Sequence, residues 1–119
     1  MTRIAHSNNI PTSVEYLGLN EWAVRWDVKV DTSKQEEDDI IHYVYSEEIY
    51  NKEPNYGVFV SNRIRDVYSK DEEDALKSNV LNVFLTPDSP KYESIIEEWK
   101  EFEQVRNRAK EFGRQIFNI

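Results

Sequence analysis

The chain of 119 residues contains no cysteine. Disulfides, thiolate-held zinc, iron–sulfur clusters and thiol nucleophiles are therefore excluded, and stability has to come from packing and ion pairing. Glycine is scarce, with three residues, and proline occurs four times. Three glycines are too few for a phosphate-cradling loop, and GxSxG, P-loop, GxGxxG, HExxH and EF-hand patterns are all missing. The same scarcity argues against a low-complexity linker or a collagen-like repeat. No apolar run reaches the length of a membrane span, and residues 1–20 hold none that suits a secretory signal. The expected location is the cytoplasm of the producing cell, with virion association as its extension, and no membrane is expected as a partner. Positive charge is the remaining shortage: 15 Lys and Arg face 23 Asp and Glu, a net charge of −8. Nucleic acid is not an expected partner, because neutralising phosphates takes a positive surface.

What the chain does have is rings. Aromatic residues make up 13% of it, which with 39% hydrophobic content predicts a small, aromatic-rich core in a single domain spanning residues 1–119. Residues 1–12 carry Ser7, Asn8 and Asn9, lack periodicity and run into Pro11, so they read as an extended arm. Residues 13–50 read as a three-stranded antiparallel meander. Its clearest strand is Trp22 to Asp31, where Trp22, Val24, Trp26, Val28 and Val30 alternate with Ala23, Arg25, Asp27, Lys29 and Asp31. That alternation places both tryptophans on the buried face, as core rather than as a platform for bases or sugars.

After Pro54 the period changes from two to nearly four, and residues 54–119 read as helical. Tyr56, Phe59, Val60, Ile64, Val67 and Tyr68 form a first stripe. Ser69 and Glu72 form a capping-box pattern for a second helix with Leu76, Val80, Val83 and Phe84 on its core face. Ser89 and Pro90 open a third, long helix to about Phe117, in which Tyr92, Ile95, Trp99, Phe102, Phe112 and Ile116 recur at helical spacing. The fold class is thus α+β: a three-stranded meander, two short helices and one long C-terminal helix.

Candidate chemistry is sparse. His6 falls in the arm and His42 in a strand, with no spacing that joins them to each other or to acids, so both read as structural or solvent-facing. The carboxylates cluster at Glu36, Glu37, Asp38 and Asp39 and again at Asp71, Glu72, Glu73 and Asp74, but neighbouring positions do not form the fixed carboxylate pair that catalysis requires. No catalytic residue, metal ligand or cofactor is expected, and the protein reads as a non-enzyme.

The segments "HSNNIPTSVEYLG", "WAVRWDV" and "PNYGVFVSNRIRDVYSKDEEDAL" resemble small uncharacterised proteins encoded by phages and prophages of Bacteroides and relatives. The resemblance runs from Ala5 to about Leu76 and more loosely beyond. It implies a phage setting among late or structural genes and carries no activity and no site residues. Two expectations about function follow. In the first, the protein is a structural or assembly-associated component that self-associates, or docks a virion or host protein, through the long-helix stripe of Tyr92, Ile95, Trp99, Phe102, Phe112 and Ile116. In the second, it is an acidic protein-binding module that mimics DNA with the two carboxylate clusters.

Overall fold

The computed structural model describes residues 1–32 and 40–119. Seven elements follow in order: β1 (Arg3–Ser7), β2 (Val14–Gly18), β3 (Glu21–Val30), β4 (Tyr43–Tyr50), α1 (Tyr56–Arg65), α2 (Lys70–Leu85) and α3 (Tyr92–Phe117). The chain divides into two compact units, one formed by residues 1–56 with 112–119 and the other by residues 57–111. The α+β class holds, with an antiparallel sheet and a long last helix.

The sheet has four strands rather than three, in the order β1-β4-β3-β2. The expected meander is β2-β3-β4, and the fourth strand comes from the segment read as an arm, whose residues 3–7 pair antiparallel with β4. Pairing here rests on charge more than on apolar alternation: Arg3 lies opposite Glu47 and binds its Oε1 through Nε at 2.7 Å.

Between β2 and β3 the chain turns through Leu19 and Asn20, both at positive φ (52° and 60°), with Gly18 at φ 92° before them. Two consecutive left-handed residues match the right-handed strand twist, which makes this a tight hairpin of the primed type.

Strict alternation along β3 does not survive its middle. Asp27 takes φ 55°, and the register moves from Trp26↔Ser46 to Lys29↔Val44, so β3 spends one more residue than β4 across this step. Such a bulge exchanges the faces of everything beyond it. Trp22, Val24 and Trp26 therefore share their face with Lys29, whereas Val28 and Val30 move to the face of Ala23 and Arg25 and are left exposed. The core reading of the tryptophans holds best for Trp26, which is buried. Trp22 is half-buried, with the Tyr16 ring 4.9 Å away across the hairpin.

In the helical unit, the buried side chains include Phe59, Val60 and Ile64 of α1, Val80 and Val83 of α2, and Phe102 and Ala109 of α3. Tyr68 and Trp99 set their rings 5.2 Å and 5.3 Å from Phe102. The capping box forms as read: Ser69 Oγ accepts from the Glu72 amide at 3.1 Å, and the Ser69 amide donates to Glu72 Oε1 at 3.1 Å. Ser89 Oγ accepts from the Lys91 amide at 3.2 Å just before α3. Two residues depart from the expected apolar stripes: Phe84 of α2 is exposed, and so is Val67, which lies beyond the end of α1.

Candidate functional site

The six stripe residues of α3 fall in different surroundings. Phe102 is only 1% exposed and is core to the helical unit. Tyr92, Ile95 and Trp99 of that unit are half-buried, as are Phe112 and Ile116, which belong with the sheet. None of the six is a freely exposed side chain.

The acidic candidates also separate. Glu36, Glu37, Asp38 and Asp39 lie outside the described residues. Asp71, Glu72 and Asp74 are exposed in the first turns of α2, where the helix dipole favours them. Glu73 is buried. Its position continues the inward stripe through Leu76, Val80 and Val83, so it points where an apolar residue would otherwise sit. Three cations meet it there: Lys77 at 2.6 Å, Arg65 at 2.9 Å and Lys70 at 3.4 Å. The hydrogen bond from Lys77, joined by those from Arg65 and Lys70, outweighs burial and lowers the carboxyl pKa from 4.5 to about 2. Glu73 is thus an internal anion of the helical unit and contributes no carboxylate to an acidic surface.

A second ion cluster crosses the sheet, with Glu47 buried at its centre. Glu47 of β4 takes Arg3 of β1 from one side and Arg25 of β3 from the other, Arg25 Nε lying 2.7 Å from Oε2. Arg25 continues to Glu15 of β2 at 2.8 Å and to the Thr12 carbonyl at 3.2 Å. Burial pushes the Glu47 carboxyl up, and the hydrogen bonds from Arg25 and Arg3 more than reverse this, leaving its pKa below the ordinary value. A row of alternating charge thereby ties all four strands in register, which is a structural arrangement.

The histidines are not as isolated as their spacing suggests. His6 Nδ1 lies 3.6 Å from Asp31 Oδ2, and the Asp31 amide donates to the His42 carbonyl at 2.7 Å. Strand pairing brings them together over distances no local pattern reveals. Among the described residues, no group of three or more His, Asp and Glu is placed to hold a metal ion. Among the same residues, no helix is long and apolar enough to cross a membrane.

The second half of α2 carries a row of exposed apolar side chains. Leu81, Phe84 and Leu85 are 61%, 60% and 76% exposed. Their i, i+3, i+4 spacing sets them side by side on one helix face. The same stretch buries Val80 and Val83 on the inward side, so residues 80–85 are apolar around most of the helix circumference. That composition was the available signal: a helix that is apolar on two faces needs two coverings. No family model matches the chain, and neither does any curated protein or solved structure.

Proposed function

We propose that the protein works without catalysis, as an assembly-associated component of a phage or prophage that binds a second copy of itself through the outer face of α2. The observation that carries this reading is the uncovered apolar row of Leu81, Phe84 and Leu85. A helical row of this kind is self-complementary when two copies meet across a twofold axis, the commonest symmetry of soluble oligomers. The half-buried side chains of Tyr92, Ile95 and Trp99 on α3 support such an interface less directly, because part of their apolar surface is already covered.

The test is the solution mass by light scattering behind a sizing column, at low and at high salt, for the wild type and for Phe84→Glu. A salt-resistant oligomer that Phe84→Glu converts to a monomer with an unchanged circular dichroism spectrum is the expected result. A wild type that stays monomeric at every concentration and salt overturns it. A second reading rests on the exposed carboxylates Asp71, Glu72 and Asp74, as an acidic surface presented to a host or phage protein. Its mark is partner binding that weakens as ionic strength rises, which an apolar interface does not show.

A further inference from the structure

In a chain of net charge −8, one groove is strongly positive. It lies within the helical unit, between α1, α2 and α3, and has a volume of about 380 Å³, within the range of pockets that take small ligands. Four cations line it, Arg65, Lys77, Arg106 and Lys110, against the single carboxylate of Glu73. That carboxylate is already engaged by Lys77, Arg65 and Lys70. Arg106 spends one nitrogen on Glu103 at 3.0 Å. Lys110 is half-buried and, among the described residues, makes no ion pair.

The arrangement is costly unless something anionic joins it. Arg106 and Lys110 are four residues apart on α3, where like charges face one another and destabilise the helix. A lysine that is half out of water with no counter-ion adds to that cost. The groove also has an apolar side, where the exposed edges of Val60 and Ile64 of α1 meet it. Cations beside an apolar wall suit a ligand with an oxyanion at one end and a ring or hydrocarbon body at the other. With Glu103 counted beside Glu73, four cations face two carboxylates, and a dianion neutralises the groove where a monoanion does not.

We propose that this groove binds a small phosphomonoester, with the phosphate held by Arg106 and Lys110 and the apolar body laid against the edges of Val60 and Ile64. The site is separate from the outer face of α2 and does not depend on self-association.

The experiment is a titration of the uniformly ¹⁵N-labelled full chain with phenyl phosphate at low salt, followed by amide chemical shifts, with inorganic phosphate and phenol as controls. Saturable shifts grouped at residues 57–65, 73–77 and 102–110 are expected, with a Kd of about 1 mM or tighter. Inorganic phosphate is expected to bind about tenfold more weakly, and Lys110→Gln to weaken phenyl phosphate by about tenfold. Lys110→Gln removes a cation without an ion-pair partner, so the fold is expected to persist, and Lys110→Arg is expected to bind as the wild type does. Shifts that fail to saturate, that phenol reproduces, or that survive unchanged in Lys110→Gln overturn the proposal. Repeating the titration on Phe84→Glu keeps ligand binding distinguishable from any change in oligomeric state.

Discussion

Replacing Glu73 by Gln tests whether a buried carboxylate anchors the helical unit. The wild-type side chain is 9% exposed and accepts hydrogen bonds from Lys77, Arg65 and Lys70. A carboxyl pKa lowered from 4.5 to about 2 sets a ceiling of roughly 3 kcal/mol on the stability that ionisation contributes. Much of that is lost to solvent, because the Lys77 and Lys70 side chains are 50% and 62% exposed, and screening reduces the expected contribution to about 1–2 kcal/mol. The glutamine keeps one acceptor oxygen but leaves three cations facing one another without their counter-charge.

The pH dependence follows from the direction of the shift. A carboxylate whose folded pKa lies below its unfolded value stabilises the fold above the unfolded pKa, and that contribution disappears as pH falls from 4.5 toward 2. Urea unfolding of wild type and Glu73→Gln, followed by far-UV circular dichroism, should separate the two by about 1–2 kcal/mol at neutral pH and bring them together at the acid end of that window. Trp99 fluorescence, read in variants lacking the other tryptophans, assigns the loss to the helical unit. If the difference between the two proteins stays the same from neutral to acid pH, the ion cluster is not its source and the reasoning fails.

Other substitutions probe the rest of the architecture. Glu47→Gln removes the carboxylate between Arg3 and Arg25 while Arg25 keeps Glu15, and should cost about 2 kcal/mol, whereas pairing Glu47→Leu with Arg25→Met should recover most of the loss. Equal losses in the single and double variants, measured by urea titration, would refute the ion-pair account. Leu19→Asn places a residue that tolerates positive φ in the β2–β3 turn and should raise stability by about 0.5–1 kcal/mol, seen as a higher Tm. Gly18→Ala should cost about 1 kcal/mol from backbone strain alone, seen as a lower Tm, since the space around Gly18 is open. Phe102→Ala should destabilise by about 3–5 kcal/mol with cooperative loss of helix, as a core residue does and a surface docking residue does not.

The elements that were legible in the sequence are those whose signal is local. Period two revealed β3 and β4, period near four revealed the three helices, and Ser69 with Glu72 marked the N-cap of α2. What escaped depends on partners far along the chain. β1 carries almost no apolar alternation because it is an edge strand held by Arg3 against Glu47, 44 residues away. Val28 and Val30 were placed on the wrong face because one left-handed residue, Asp27, inserts a bulge that hydropathy does not record.

Glu73 was hidden for a different reason: within a run of four acids, nothing distinguishes the one that points inward except the stripe of Leu76, Val80 and Val83 read backwards by three residues. The same rule applied forwards from Val80 puts Phe84 on the inward face, whereas Phe84 joins Leu81 and Leu85 in an exposed row. Charge explains why the helix tolerates this. Its first half presents Asp71, Glu72 and Asp74 to water, so the apolar outer row is confined to the last turns and the whole helix does not become a sticky surface.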